Sequence, residues 1–470
     1  MKNSIEQNEI TGFWQNINAA MRGIEIDYTT VQLNKAILFL ALPMVLEMTM
    51  ESVFVLVDVF WVAKRGAEAV AVVGLTDSVV TLVYAVAVGL TMAVSAMVSR
   101  RIGEHAPEKA AHAAIQSIYI SIAISIPLAV AGIFYAKDIL SLMGASDNAI
   151  AAGSGYTAML LGGNITIMLI FVINAIFRGS GDAIYAMRSL WLANSINLIL
   201  DPCLIFGLGP FPEYGVAGAG MATTIGRGVG VLYQLWILFG GRTRIKIHRN
   251  HLKINLKLIK GLLRVSFGGI LQYLIATASW IGVIRILAIF GDLVIAGYTI
   301  AIRIISFTFL PSWGIANAAS TLVGQNLGAN NADRAEKAVW HLAMINFIFL
   351  GTISIILVLI PQFFIRQFTD DGSIIPHAVE CLRYVACCYP FLAYGMVMAH
   401  AFNGAGDTYT PSAINFVSYW LFQIPAAYLV AVQLELDSTG IFIVMAAAEV
   451  LIALIAVPMF RRGRWKLQKI

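Results

Sequence analysis

The sequence predicts an all-α polytopic membrane protein, with twelve transmembrane helices in two six-helix bundles related by a pseudo-twofold axis along the membrane normal. Three observations carry that expectation. Of the 470 residues, 59% are hydrophobic and only 12% are charged, and the mean hydropathy is +0.80. Apolar runs of about 20 residues, the length needed to cross about 30 Å of hydrocarbon, recur along nearly the whole chain. The second half of the chain repeats the first at a constant shift of about 225 residues.

The spans fall at about 35–62, 69–98, 110–136, 150–176, 186–208, 215–240, 262–289, 294–323, 338–365, 380–402, 412–432 and 440–460. Residues 1–34 carry scattered charges and no compact apolar core with a cleavage site, so they read as an exposed cytoplasmic arm rather than a signal peptide. Residues 35–241 then form the first bundle, 242–260 a basic cytoplasmic linker, 261–460 the second bundle and 461–470 a basic cytoplasmic tail. Alternate loops hold Arg100, Arg101 and Lys109, then Arg178 and Arg188, then Arg334 and Lys337. The intervening loops carry few cations (Lys64, Arg65, Lys137, Arg366), and Glu213, Asp370, Asp371, Glu435 and Asp437 fall on that side. By the positive-inside rule both termini face the cytoplasm, across a cell inner (plasma) membrane.

The stretch "GRTRIKIHRNHLKINLKLIK" between spans six and seven is accounted for by that same bias and by neighbouring anionic lipid, so no nucleic-acid partner is implied. Cys203, Cys381, Cys387 and Cys388 lie in or near apolar spans without ligand spacing, which indicates neither a disulfide framework nor a zinc site. The "HRNH" histidines are expected to be solvated.

The internal repeat pairs Gly66 with Gly291 and Ala71 with Ala296. Without a gap it continues through Gly89 and Gly314, Ser95 and Ser320, Val98 and Val323, and Gly103 and Gly328. It ends by laying "FRGSGD" on "FNGAGD". Six spans per repeat is an even number, so both halves enter from the same side. Two such bundles enclose a cleft that can open to either side of the membrane, which is the geometry of an alternating-access transporter.

Polar residues inside the membrane are costly and are functional candidates. The first half holds nearly all of its carboxylates: Glu47, Glu51 and Asp58 in span one, Asp77 in span two and Asp201 in span five, with Glu449 alone in the second half. Intervals of four and seven residues put Glu47, Glu51 and Asp58 on one helix face. Counted inward from the outer ends of their spans, Asp58, Tyr156, Asp201 and Thr223 all lie about 9 to 12 Å deep. Asn197, one turn from Asp201, extends the layer, whereas Asn174 lies about 27 Å from Tyr156, near the cytoplasmic end. Pro202 is expected to bend its helix beside Asp201 and to free the carbonyl of Leu198.

The chain resembles the multidrug and toxic compound extrusion (MATE) family over about residues 35–460. The resemblance is carried by "LALPMVLEMTMESVFVLVDVFWVAKRGAEAVAVVGL", "RGSGD" with "NLILDP", "GVAGAGMAT", "IAIRI", "LVGQNLGA" and the second "GAGD". It implies the MATE fold and a monomeric exporter without a cofactor, which exchanges cationic amphiphilic compounds for protons or sodium. Relative to the family, the chain is closer to the DinF-like and archaeal type than to the NorM type. In that branch the coupling site lies in the N-terminal bundle, which here matches Asp58, Asn197 and Asp201, with Tyr156 and Thr223 as hydrogen-bonding neighbours. Sodium, if it is the coupling ion, would sit at Asp58, Asn197, Asp201 and Thr223. The acids that help bind sodium in spans seven and ten of the NorM-like branch are missing from "GGILQYLIATASW" and "YPFLAYGMVMAH". Glu51, Glu47, Asn174 and Asp77 are candidates for binding substrate, and Gln272 and Arg303 are those of the second bundle. Arg303 is about 14 Å deep, where bonding to helix ends or carbonyls in its own bundle is the plainer expectation.

Two acids close together in low dielectric favour a state holding one proton, and their ionised form suits a lipophilic cation. Proton and drug would then compete for one charge. A lipid-linked oligosaccharide flippase of related architecture would instead need basic residues converging on the cleft, whereas the identifiable membrane acids outnumber the bases in the first bundle. A membrane hydrolase would need a nucleophile and base or a metal motif at depth, and none is visible. The turns "GSGD" and "GAGD" are read as tight cytoplasmic turns whose Asp182 and Asp407 cap the following helices. The glycines of "GVAGAGMATTIGRGVG" are read as close helix packing, and His400 as structural.

Overall fold

The computed structural model describes residues 12–468 and 470, and these are helical almost throughout. A short α1 (Phe13–Arg22) precedes α2 (Leu33–Ala63), α3 (Ala67–Gly103) and α4 (Pro107–Phe134). Then come α5 (Ala136–Leu142), α6 (Asp147–Gly162), α7 (Asn164–Ser180), α8 (Ala183–Phe206) and α9 (Val216–Phe239). The second half holds α10 (Leu256–Leu287), α11 (Asp292–Gly328), α12 (Ala332–Leu359), α13 (Pro361–Ile365), α14 (Ile375–Cys387) and α15 (Tyr389–Ala405). It closes with α16 (Tyr409–Gln433) and α17 (Asp437–Arg461). We call the face where α2 begins proximal and the face where it ends distal.

Ten of the described helices are long and apolar enough to cross a membrane, counting α6 with α7 as one, and α14 with α15 makes an eleventh. That pair is bent by 55° at Cys388, where Pro390 has no N–H to continue the ladder. The expected fourth span is interrupted at Gly163, between α6 and α7. The expected sixth span, α9, falls outside the apolar criterion, because five glycines, two threonines and Arg227 dilute it. It is nevertheless a 24-residue helix laid along α8. Within α16, Phe416–Gln423 and Leu429–Gln433 are wound as π-helix. Pro202 is taken into α8 without ending it, and the helix continues to Phe206, so the expected bend is not a break.

The repeat is visible as reciprocal packing. On α3, a Cβ at Gly89 would lie 2.7 Å from the backbone of Ser266 and Ile270 on α10; on α11, one at Gly314 would lie 2.6 Å from the carbonyl of Met44 on α2. Met44 is the repeat mate of Gly269, which itself faces Gly89. Toward the proximal face, Gly103 meets the backbone of Gln325 and Gly328 meets that of Arg100, again with the partners exchanged. On the axis itself Ser95 Oγ stands 3.5 Å from Ser320 Oγ. Glycines on both sides let the backbones approach, and a side chain at any of these positions would wedge the halves apart.

Among the described residues, the hydrogen bonds between the two halves lie at or proximal to the bond from Ser52 to the carbonyl of Phe307. Thr321 Oγ1 donates to the carbonyl of Arg178 (3.0 Å), and Gln325 Nε2 to that of Gly179 (2.9 Å).

The terminal arm and tail are not free. Ala19, Ala20, Ile26 and Tyr28 are buried, Tyr28 OH donates to the carbonyl of Gly181 (3.0 Å), and Arg188 bonds the carbonyl of Met21 (2.8 Å). The alternation of Ile26 and Tyr28 supplies the apolar face that the expectation of an exposed arm overlooked. The tail folds back as well: Trp465 is buried and stacks on Phe460 at 4.8 Å, while Arg100 bonds the carbonyl of Gln468 (2.7 Å).

The basic linker is strapped along α4 by Gln116, which donates to the carbonyl of Lys253 and accepts from the N–H of Asn255. His251, expected to be solvated, is buried: its Nδ1 accepts from the N–H of His248 (3.0 Å), leaving Nε2 to meet Glu108 (2.6 Å). Asp407 does bond the N–H of Thr410 in the first turn of α16. Asp182 does not cap α8 with its side chain; it accepts from Ser180 and from the N–H of Arg244. Burial pushes its carboxyl above the ordinary range, and Arg244 opposes that shift.

Candidate functional site

Helices α2 and α8 run side by side in the same direction, and their polar residues meet in register. Asn194 Nδ2 donates to Glu51 Oε2 (3.0 Å), a pair 143 residues apart. Seven residues further along both helices, at the same offset, Asp58 and Asp201 are electrostatic neighbours. The indole of Trp191 anchors α8 to the carbonyl of Leu46 (3.0 Å). The face shared by Glu47, Glu51 and Asp58 is therefore turned to the bundle interior, as lipid would demand.

Around the Asp pair, Asn197 Nδ2 donates to Asp201 Oδ1 (3.3 Å) and to Thr223 Oγ1 (3.1 Å). Close approach of α8 and α9 makes this contact: a Cβ at Gly226 would lie 2.6 Å from the carbonyl of Ala193, and one at Gly218 2.4 Å or so from that of Leu204. Asp201 is wholly buried, and Asn197 and Thr223 nearly so. Asn197 Oδ1 and Asp201 Oδ2 are buried oxygens with no partner among the described residues. Tyr156 is buried beside Gly220, within electrostatic reach of Asp77 and Asp58 rather than hydrogen-bonded to them. Asp77 is exposed on α3, near Asp58 and Arg227.

Glu47 and Asn174 belong to a second cluster toward the proximal face. Arg178 donates to Glu47 Oε1 at 3.0 Å, and Asn174 Nδ2 to the same oxygen at 3.1 Å. Asn174 Oδ1 in turn accepts from Gln234 (2.6 Å) and Ser189 (3.2 Å). Glu47 therefore ties α2 to α7.

Between the bundles lies a cavity of about 420 Å³. Its wall carries Glu47 and Glu51, but also Arg178 and Arg227, among Met48, Met92, Phe171 and Trp313. Arg227 donates to Tyr84 OH (2.8 Å) and lies over that ring at 5.8 Å. Sequence reasoning passed over Arg227 because it sits in the glycine-rich span read only for packing; a cation there, with Thr223 one turn away, was the available signal. Asn194 was missed although it falls on the same α8 face as Asn197 and Asp201. His400, read as structural, lines the cavity with Trp313 against it at 5.5 Å.

Arg303 is absent from this wall. It is exposed in a second, almost wholly apolar groove of about 550 Å³ between α2, α11 and α12, rather than bonded to carbonyls of its own bundle. A long aliphatic stem lets it lie along apolar surface. Gln272 is buried on α10 with Oε1 unpartnered among the described residues.

The MatE family model matches residues 43–203 and 265–429, one segment in each repeat. A probable multidrug resistance protein NorM of Thermotoga maritima is 26% identical over 440 residues, covering 93% of this chain and 94% of that one. A solved MOP superfamily transporter from Pyrococcus furiosus superposes with a TM-score of 0.87 at 26% identity, over 96% of this chain and 98% of that one. An outward-facing multidrug resistance MATE family transporter superposes equally well, with a TM-score of 0.87 at 26% identity, over 93% of this chain and 98% of that one.

Proposed function

Because the chain belongs to the MatE family, a family of multi-pass membrane transporters rather than enzymes, we propose that it is a secondary active multidrug exporter, moving cationic amphiphilic compounds outward in exchange for protons. The observation that carries the coupling is the register of α2 and α8, which sets Asp58 against Asp201 two turns from the Glu51 and Asn194 pair on the cavity wall. In this reading the proximal face and both termini are cytoplasmic, in the inner (plasma) membrane, and one chain suffices for transport. Ties between the halves confined to the proximal side then describe an outward-facing resting state.

A lipophilic cation entering the cavity meets the Glu51 carboxylate in an apolar frame of Met48, Phe171 and Trp313. External protons compete by discharging the Asp58 and Asp201 pair, removing the negative potential that retains the cation. Each pH unit supplies about 1.4 kcal/mol, and an electroneutral one-for-one exchange takes nothing from the membrane potential. Concentration of coupling in the N-terminal bundle fits the DinF-like type, since the C-terminal bundle has no acid in the stretches where the NorM type binds sodium.

Sodium is the second reading, favoured by one feature. Asn197 Oδ1 and Asp201 Oδ2 are uncommitted buried oxygens beside Asp58 and Thr223, the hard-donor type a small cation takes. A flippase gains nothing from the cavity, where each arginine has a glutamate nearby. The deciding experiment is ethidium accumulation in everted vesicles, where export is read as uptake, under a proton gradient alone and a sodium gradient alone. Accumulation driven by neither gradient, in a protein that binds ethidium, would sink the antiport.

A further inference from the structure

The repeat relates residues that the two halves use differently at the proximal floor of the cavity. Glu47 and Arg178, joined at 3.0 Å in the first half, have Gln272 and Asn403 as their mates 225 residues on. In the second half the charges are amides: Gln272 matches a glutamate in length, whereas Asn403 is much shorter than the arginine it answers. Asn403 lines the central cavity and is 1% exposed, yet neither Nδ2 nor Oδ1 has a partner among the described residues. Gln272 also has an Oε1 unpartnered among the described residues, but off the cavity wall. Leaving such atoms unmatched costs about 1 to 3 kcal/mol each, so the place is made for a polar group from elsewhere.

Its surroundings define that group. His400 Nδ1 bonds the carbonyl of Met396 (3.0 Å), so this nitrogen carries the proton and Nε2 of the neutral ring is an acceptor. Asn317 and Ser320 line the same floor. On this side no carboxylate lines the cavity, since Glu47 and Glu51 both stand on α2. We propose that Asn403, with His400, forms a neutral hydrogen-bonding subsite, which binds the uncharged donor and acceptor groups of a substrate (an aryl amine, amide or hydroxyl) while its cationic centre faces Glu51.

This rests on the export reading, and it divides substrates by chemistry. Tetraphenylphosphonium is a lipophilic cation without a hydrogen-bonding group, whereas ethidium adds two aryl amines to its charge. The dissociation constants of both are measured by equilibrium binding to the purified full chain, with efflux recorded separately, so that absent transport counts against the export reading alone. Asn403→Leu is expected to weaken ethidium about tenfold, one hydrogen bond's worth, and to leave tetraphenylphosphonium within about twofold. His400→Leu should shift the same ratio in the same direction, and it carries the test if Asn403→Leu lowers the melting temperature sharply. Equal weakening of both probes, no change in either, or failure of the wild type to bind ethidium would each overturn the subsite.

Discussion

Ser95 and Ser320 hold the same position in the two repeats and face each other across the interface with their hydroxyl oxygens 3.5 Å apart. Each is therefore on or beside the pseudo-twofold axis. Gly179 on α7 lies against the carbonyl of Ser95, and its mate Gly404 on α15 lies against that of Ser320. The axis is closed here by four helix segments with little side-chain volume between them.

A disulfide tests whether this closure opens during the cycle. With Ser95→Cys and Ser320→Cys, a mild oxidant should crosslink the halves, since the oxygen separation is compatible with the Cβ spacing of about 3.8 Å that a disulfide needs. A protease site placed in the linker reports the bridge as two fragments that separate on a gel only after reduction. Ethidium efflux should stop on oxidation and return on reduction; undiminished efflux by the crosslinked chain would show that this contact does not part.

The facing carboxyls predict a specific loss. Asp58→Asn and Asp201→Asn should each lower proton-driven ethidium efflux about tenfold or more, because one acid alone has no neighbour to share a proton with. Asp77→Asn, at an exposed position on α3, should retain most of the rate. Wild-type coupling in both Asp58→Asn and Asp201→Asn would remove the pair from the mechanism.

Glu47 and Arg178 should behave as a unit of stability. Arg178→Met strands a buried carboxylate and is expected to cost about 3 to 5 kcal/mol, whereas Glu47→Gln with Arg178→Met should cost clearly less than the single change. Melting temperatures of the two single variants and the double variant in detergent close the cycle. Additive losses would mean that the ion pair contributes nothing beyond its parts.

Gly314 should tolerate no side chain without moving α11. Gly314→Leu places branched carbon against the Met44 carbonyl, so the halves should be driven apart, with a lower melting temperature and faster labelling of a cysteine at position 95. Gly351, with open space around its Cα, is the matched control.

Much of this architecture was legible because the membrane imposes it. Apolar length found the spans, the positions of Lys and Arg ordered the loops, and one ungapped register exposed the two halves. That Asp201 has polar neighbours in Asn197 and Thr223 was legible too, since a carboxylate in an apolar helix calls for polar partners. What stayed hidden depends on neighbours in space. Nothing in "IGRGVG" says that Arg227 reaches Tyr84, and nothing in "HRNH" says that His251 lies under Glu108 while the other ring of the motif does not. The arm was misjudged because part of the surface that buries it, such as the Gly181 carbonyl that Tyr28 bonds, comes from residues more than 150 positions away. Asp182 was assigned to a cap by local rule, and Arg244, brought in from the linker, took its place.

The exchanged contacts of Gly103 with Gln325 and of Gly328 with Arg100 have an ancestry written into them. An interface in which position i meets j and j meets i is the isologous kind that two copies of one chain make about a true twofold axis. A six-helix ancestor bearing one Gly89, one serine on the axis and one Gly103 would pair with its own copy through these same contacts, inserted the same way in the bilayer. Joined in one chain, the two halves are free to differ: one carries Glu47, Arg178 and most of the acids, while the other has Gln272 and Asn403 at the matching positions.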